Sequence, residues 1–301
     1  MDNEKDNFRK ESAETHCMLC PVKCGANRSV RAGYCGVRGM NIAKYYLHPY
    51  EEPCISFAKG SGTIFFTGCN LKCVFCQNYA VSRSEKGRSV TADELVGIYF
   101  DLVRQGAHNI NLVTPTHFAP VVTESVIKAK DGGIGVPFVW NSSGYETPEF
   151  FRNSAGIFDV FLPDFKYVSS EISRKYSVAG DYSEVALNVL KAMREAQPDD
   201  IFENGLMKKG MIVRHLVLPG CTDDSLDVLD EIKKNLGKSQ LISIMSQYTP
   251  FGKNLPDELY RTVTREEYEK VTSYALLIGL KHGYFQEGSA AKESFIPDFD
   301  S

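Results

Sequence analysis

The sequence has no basic excess: 34 Lys and Arg stand against 38 Asp and Glu, a net charge of −4. A chain that coats nucleic acid needs a clear positive surplus, so that class is set aside. It contains no run of about 18 consecutive apolar residues, so no membrane-spanning helix is expected. The opening stretch, MDNEKDNFRKESAETH, is charged throughout and lacks the apolar segment of a secretory leader. There is no low-complexity tract and no residue-level internal repeat. Apolar residues are not scarce either: 43% hydrophobic against 24% charged excludes a largely disordered polymer. With 301 residues, one α/β barrel or two smaller domains would each bury a sizeable core.

Cysteine, in contrast, is abundant. The nine are Cys17, Cys20, Cys24, Cys35, Cys54, Cys69, Cys73, Cys76 and Cys221, and seven of them fall into two tight groups. An odd number in a chain of this length is not the pattern of a secreted disulfide framework. A reducing cytoplasm is expected, with the thiols kept for metal.

The chain divides by composition. Residues 1–16 are expected as a flexible tail, 17–58 as a four-cysteine metal module with a connector, 59–289 as the main α/β unit and 290–301 as a C-terminal tail. Within 41–60 no clear period is legible. From Gly62 onward, short apolar runs alternate with helical patterns. The runs are 63–67 (TIFFT), 110–114 (INLVT), 137–141 (PFVWN), 159–165 (DVFLPDF), 211–218 (MIVRHLVL) and 241–246 (LISIMS). They are rich in β-branched and aromatic residues and not strictly alternating, as parallel strands buried on both faces are. Helices are expected from Thr91 to about Gln105, with Glu94 completing a capping box, and from Thr147 with Pro148 at the first helical position. Further helices are expected over roughly 121–130, 182–196, 225–236 and 265–281. Six strand–helix units imply right-handed crossovers and a parallel sheet, two units short of a closed eight-stranded barrel. A doubly wound sheet also fits. The fold expected is α/β, a partial (β/α)6 TIM-like barrel with a small N-terminal cysteine-rich module. In either topology the active site belongs at the C-terminal ends of the strands.

Directly after the first strand, 67–79 reads TGCNLKCVFCQNY, with Cys69, Cys73 and Cys76 spaced C-x3-C-x2-C. Four-iron clusters usually take four thiolates. Three from one loop would hold three irons and leave one open to a small chelating molecule, and an open position distinguishes catalytic from structural metal sites. The bland alternative is a zinc site or a set of buried thiols. No fourth Cys or His lies within ten residues of the group, though Cys54 is a distant candidate.

The first group, Cys17, Cys20, Cys24 and Cys35, reads C-x2-C-x3-C-x10-C, with Gly25, Gly33 and Gly36 for tight turns. Four thiolates in about 20 residues suggest a closed site. Zinc and an accessory iron–sulfur cluster both fit, as does no metal at all. Iron–sulfur is favoured because a second cluster is able to relay electrons to the first. His16 is read as solvated, His48, Glu51 and Glu52 as barrel floor or mouth with the acidic pair on a solvated face, and Cys54 and Cys221 as inert.

C-x3-C-x2-C with Phe75 before the third cysteine is the signature of radical S-adenosylmethionine enzymes. The stretches HPYEEPCISFAKGSGTIFFTGCNLKCVFCQN, HNINLVTPTH, FLPDFKY, VRHLVLPG and MSQYTPF resemble uncharacterised homologues of the pyruvate formate-lyase activating enzyme. The resemblance spans residue 17 to the end. It implies a 4Fe-4S cluster on Cys69, Cys73 and Cys76 that binds S-adenosylmethionine through its amino and carboxylate groups. One electron then breaks the sulfur–C5′ bond, and the resulting 5′-deoxyadenosyl radical abstracts a hydrogen atom. The electron donor it implies is a flavodoxin or ferredoxin.

Residue by residue, the resemblance implies cofactor contacts for Asn78 after the cluster and for Asn141 and Ser142, with Ser143, after the third strand. It implies the same for Asp164 and Lys166 after the fourth and Arg214 on the fifth. The chain departs from the family's Gly-Gly-Glu stretch, offering Thr114, Pro115, Thr116 and His117 instead. Thr114 and Thr116 are candidates to accept from the amino group, and His117 to contact substrate or carboxylate. The bland readings are an ordinary loop histidine, a strand-end salt bridge for Asp164 and Lys166, and a buried structural ion pair for Arg214. The family's histidine after the sixth strand is replaced by Thr249, and Tyr248 is expected to pack. Three functions follow. One is activation of a protein partner by glycyl hydrogen abstraction. Another is radical modification of a small molecule or peptide. The third is a non-catalytic iron–sulfur electron carrier or structural metal protein.

Overall fold

The computed structural model describes residues 15–83, 87–250 and 254–286. Most of the expected N-terminal tail, all of the C-terminal tail and Phe251 of the MSQYTPF stretch lie outside the described residues.

In chain order the strands are β1 (Asn41–His48), β2 (Ser61–Phe66), β3 (Arg88–Ser89), β4 (Ile110–Val113), β5 (Phe138–Ser142), β6 (Val160–Pro163), β7 (Ile201–Glu203), β8 (Leu206–Leu216), β9 (Leu241–Met245) and β10 (Gly283–Phe285). They form one ten-stranded sheet ordered β10-β9-β8-β6-β5-β4-β2-β1-β3, with β7 paired to β8 off that path. The six expected runs are β2, β4, β5, β6, β8 and β9, and every neighbouring pair among them is parallel. The helices Ala92–Arg104, Ala119–Asp131, Pro148–Asn153, Tyr182–Ala196 and Thr222–Leu236 fall between them, and Arg265–Ile278 leads into β10. The partial barrel is therefore the architecture, and its sheet stays open between β10 and β3.

Four strands escaped the sequence. Residues 41–48, expected within a connector, form β1 antiparallel to β2, with the Tyr46 ring stacked on Phe65 at 5.9 Å. Pairing to a neighbour decides this strand, because its own pattern has no period. β3 adds to β1, and β10 adds parallel to β9. β7 and the start of β8 make a hairpin across Asn204 and Gly205, both at positive φ (51° and 82°). Asn-Gly is the preferred pair for such a turn, so this signal was present in the sequence and passed over.

The outer face of the sheet packs on the helices. In Ala92–Arg104, Ala92, Leu95, Ile98, Tyr99 and Leu102 recur at helical spacing and are buried, and the Thr91–Glu94 capping box closes the first turn. Tyr99 meets Phe138 of β5 edge-on at 5.2 Å, and Trp140 is enclosed by Phe150, Phe151 and Phe158. Between the strands a second, smaller apolar cluster forms from Val139, Val160, Leu162 and Ile212, plugged by Cys54 and Ile55 of the short helix Pro53–Ser56. Two residues further along the strands, on the same face, Asn141, Asp164 and Arg214 replace apolar side chains. The barrel thus has an apolar floor and a polar layer above it.

Candidate metal and cofactor site

The loop carrying Cys69, Cys73 and Cys76 leaves the C-terminal end of β2 and is tied down on both flanks. Cys69 N–H donates to the Cys35 carbonyl (3.1 Å), and Lys72 and Val74 N–H donate to the Ser177 and Tyr176 carbonyls (3.3 and 2.8 Å). Phe75 is buried and met edge-on by Tyr167, Tyr176 and Tyr248 at 6.2–6.4 Å. These contacts anchor the loop by its third-cysteine aromatic, and Tyr248 packs as expected. Gly68 has φ +77°, and a Cβ there would stand 2.7 Å from the Cys35 carbonyl oxygen, so the chain needs glycine to enter the loop.

All three sulfurs line one cavity. Its walls also carry Asn78, Thr114, Asn141, Ser142, Ser143, Asp164, Lys166 and Arg214, together with His48, Glu51 and Gln247. Each sulfur accepts a hydrogen bond: from Leu71 N–H to Cys69 (3.4 Å), from Ser177 Oγ to Cys73 (3.0 Å) and from Ser82 Oγ to Cys76 (3.5 Å). Burial, then the neighbouring Cys76 and Cys73, pushes the Cys69 thiol up to about 12. Burial also raises Cys73, against the opposing charge of Lys166. Buried sulfurs with hydrogen bonds already aimed at them and strong resistance to bare ionisation suit ligands that ionise only onto a metal. Among the described residues, no three His, Cys, Asp or Glu side chains are gathered tightly enough for a single metal ion.

The polar layer is a charge network. Lys166 Nζ pairs with Asp164 Oδ2 (2.6 Å), and Arg214 reaches Asp164 (3.0 Å), Glu51 (3.3 Å) and Asn141 Oδ1 (2.6 Å). Asn111 Nδ2 also donates to Glu51 (2.9 Å). Burial acts to raise the Asp164 carboxyl, but Lys166 and Arg214 outweigh it and hold Asp164 below the usual carboxylate range. Burial acts to lower Arg214, and Asp164, Glu52 and Glu51 hold it above its ordinary value. For Glu51, burial prevails over Arg214 and Asn111 and the carboxyl is raised. Asp164, Lys166 and Arg214 are thus a mutually paired set and cavity wall at once. The solvated-face reading of Glu51 and Glu52 is overturned: Glu52 is buried, and Glu51 is an ion-pair partner inside the barrel. Sequence reasoning missed Glu51 because an acidic pair looks the same on a surface as beneath an arginine.

Thr114 stands on the wall with φ +61°, a conformation costly for a non-glycine residue. Ser143 Oγ, also on the wall, is buried without a hydrogen-bond partner. Thr116 and His117 correct the sequence reading, because neither faces the cavity. Thr116 Oγ1 donates to Glu146 (2.7 Å), and His117 Nε2 meets the Thr67 carbonyl (2.7 Å). Arg28 of the N-terminal module donates to the His117 carbonyl (2.6 Å). Positive φ at Thr114 turns the chain before it reaches them, and both side chains brace loops behind the wall. Glu146, which no motif marked, collects Thr116, Trp140 Nε1 and Ser142, and burial pushes it up to about 6.

In the N-terminal module, Cys17 N–H donates to the Ala26 carbonyl and Gly25 N–H to the Cys17 carbonyl, closing one loop. Gly33 and Val37 close a second around Cys35. His16 is exposed, as expected, and Cys54 and Cys221 are buried.

Residues 63–232 match the model of the Radical SAM superfamily. The chain is 31% identical over 276 residues to the uncharacterized protein MJ0674 of Methanocaldococcus jannaschii, covering 86% of this chain and 74% of that one. It is 25% identical over 200 residues to the pyruvate formate-lyase-activating enzyme of Staphylococcus aureus, covering 62% and 74%. Among solved structures, the FeFe-hydrogenase maturase HydG from Carboxydothermus hydrogenoformans aligns over 76% of this chain with TM-score 0.50 and 13% identity. That likeness is of fold alone, and the chain spans about half (54%) of that structure. No described helix is long and apolar enough to cross a membrane.

Proposed function

The chain belongs to the radical SAM superfamily, and from that premise we propose that it is an enzyme that cleaves S-adenosylmethionine reductively at a cluster held by Cys69, Cys73 and Cys76. The supporting observation is the convergence of three hydrogen-bonded cysteine sulfurs and a buried Asp164–Lys166–Arg214 network on one cavity at the strand ends. When bound, a 4Fe-4S cluster would supply one electron to S-adenosylmethionine and so the means to take a hydrogen atom from a substrate.

The chain's own residues do the rest. Lys166 and Arg214 give the wall a positive potential suited to the methionyl carboxylate. Asp164, the strained Thr114 backbone and Ser143 Oγ offer oxygens to its ammonium group. Asn78 and Asn141 present amides to the same cavity. Phe75 and Leu71 keep the cluster loop dry, which strengthens each polar contact inside. Cys17, Cys20, Cys24 and Cys35 are read as a second metal site, iron–sulfur or zinc. The electron donor is read as a flavodoxin or ferredoxin.

The substrate reading is abstraction of a hydrogen atom from a protein partner, as in glycyl-radical activation, supported by the similarity to a pyruvate formate-lyase-activating enzyme. Radical modification of a small molecule or peptide is the second reading. It is favoured by the Thr114–His117 stretch, whose Thr116 and His117 turn away from the cavity.

The test is anaerobic reconstitution of the wild type and of the triple variant Cys69→Ala/Cys73→Ala/Cys76→Ala. Iron, S-adenosylmethionine binding and 5′-deoxyadenosine after dithionite are then measured. Wild-type product that the triple variant loses is the expected result. A fully loaded wild type that neither binds S-adenosylmethionine nor forms product would replace the enzyme with an electron carrier.

A further inference from the structure

We propose that Glu146 is a positioning residue of the cofactor wall: it takes the single hydroxyl hydrogen of Ser142, so that Ser142 meets the cavity as a hydrogen-bond acceptor for an N–H group of S-adenosylmethionine. This rests on reading the cavity as an S-adenosylmethionine site.

Glu146 is buried and does not itself line the cavity. Three side-chain donors converge on its carboxylate. Oε1 accepts from Thr116 Oγ1 (2.7 Å) and Trp140 Nε1 (2.8 Å), and Oε2 accepts from Ser142 Oγ (2.5 Å). Ser142, the last residue of β5, lines the cavity. A hydroxyl has one hydrogen to give and two lone pairs to receive with. The Ser142 hydrogen is committed to Glu146, and Gly144 N–H donates to the same oxygen at 3.4 Å. What remains for the cavity is a lone pair. The methionyl amino group presents only N–H donors, both when protonated and when its own lone pair is on a metal, and such an acceptor suits it.

The carboxylate form is essential to this arrangement. A proton on Oε1 would face the indole N–H, which cannot accept, so a proton goes to Oε2. There it would donate to Ser142 and turn the Ser142 hydrogen toward the cavity, replacing an acceptor with a donor. Burial pushes Glu146 up to about 6, which puts this reversal just below neutral pH. Tyr182 is within electrostatic reach of Glu146, with its phenol held well above the ordinary range by burial, and His117, next to Thr116, is pushed down to about 3. Neither titrates between pH 5 and 7.

The turn joining Ser142 to Glu146 is held in place on several sides. Gly144 has φ +74°, and a Cβ there would collide with the Asp164 carbonyl oxygen. Tyr182 Oη lies 2.8 Å from the Ser143 carbonyl oxygen and 3.0 Å from that of Asp164. Asn70 of the cluster loop donates to the Tyr145 carbonyl (2.6 Å). The turn is therefore fixed against the cluster loop and the Asp164 strand end, and the polarity of Ser142 is left to Glu146.

The experiment measures S-adenosylmethionine binding by anaerobic equilibrium dialysis between pH 5 and 8. It uses the iron-loaded full-length wild type, Glu146→Gln, Ser142→Ala and the double variant. Emission of Trp140, the chain's single tryptophan, monitors packing around Glu146. Glutamine keeps a carbonyl for Thr116 and Trp140 and sets an amide N–H against Ser142, so it imitates the protonated acid in shape and polarity. Wild-type affinity is expected to fall about tenfold from pH 7 to pH 5. Glu146→Gln should bind about tenfold more weakly at pH 7 and lose this pH dependence. Ser142→Ala should lose it too, and the double variant should be no weaker than the weaker single one, because both residues act through one bond. Equal affinities of wild type and Glu146→Gln at pH 7, a parallel fall in both, or additive losses in the double variant would overturn the proposal and leave the cofactor reading intact. If Glu146→Gln loses the native Trp140 emission, Ser142→Ala decides alone, and wild-type pH dependence in that variant would overturn the proposal. An iron-loaded wild type that does not bind S-adenosylmethionine at any pH would overturn the cofactor reading and the proposal with it.

Discussion

Removing one guanidinium would leave buried Glu51 without its ion-pair partner and Asp164 with Lys166 alone. Arg214 holds Asp164 and Glu51 at once, and Lys166 is directed to Asp164 alone. Arg214→Met should therefore cost about 3–5 kcal/mol of stability by urea denaturation. Arg214→Lys should cost less but still weaken S-adenosylmethionine binding, because one ammonium cannot span Asp164, Glu51 and Asn141. A stability loss below 1 kcal/mol for the methionine variant would contradict the network. Three imidazoles set the acid limit. Burial pushes His48 and His215 down to about 4 and His117 to about 3, with His215 held by the Phe165 carbonyl and Ser225 Oγ. Their folded-state values lie below the unfolded one, so their stabilisation is complete above about pH 6.5 and is lost as pH falls toward 4, roughly 3 kcal/mol for His215 alone. Glu146, raised to about 6, works the other way: its contribution is present below about 4.5 and lost as pH rises through 6. Three histidines outweigh one glutamate, so the urea midpoint should fall between pH 7 and 4.5. A flat profile there would show that these imidazoles are protonated in the fold.

At the scale of elements, the helix Ala92–Arg104 was readable because its determinants are local. Thr91 and Glu94 exchange hydrogen bonds within one turn, and the buried stripe has helical spacing. Thr91→Ala should cost about 1 kcal/mol and leave S-adenosylmethionine binding unchanged, since Thr91 lies outside the cavity. A change in binding would mean that the helix positions the site. β1 was unreadable for the complementary reason. Its pairing partner lies 13 to 24 residues downstream, from Ser61 opposite His48 to Phe66 opposite Ile42, and nothing within NIAKYYLH announces it. The helix Ser170–Ser177, also unexpected, shows that an unread element is able to matter, because its last residues anchor the cluster loop.

For the whole molecule, the barrel and the module differ in what holds them. The barrel has a continuous apolar core that runs to Leu280 and that the module joins only through Cys35 and the partly buried Val22. The module at 17–36 contains no strand and is closed by turns and a few buried residues. Chelating the metals proposed at the two cysteine groups should therefore raise amide hydrogen exchange across 17–36 and 69–76 first, with β4, β5 and β6 staying protected. Uniform loss of protection would show that the metals support the barrel as well.

The sequence by itself determined the six parallel strands, the helices between them and the cysteine spacing, because apolar period, capping and ligand spacing act over a few residues. It also marked Asp164, Lys166 and Arg214, which the fold brings to the cavity. Tertiary structure alone decided that Thr116 and His117 turn behind the wall, that Glu51 pairs with Arg214 and that Glu146 ties Thr116 to Trp140 and Ser142 of β5. It alone set Cys35 against Cys69. The physical reason is that burial and ion pairing depend on which segments meet across the barrel. A carboxylate's role follows from the neighbour it finds there, and that neighbour is often more than a hundred residues away, as Arg214 is from Glu51.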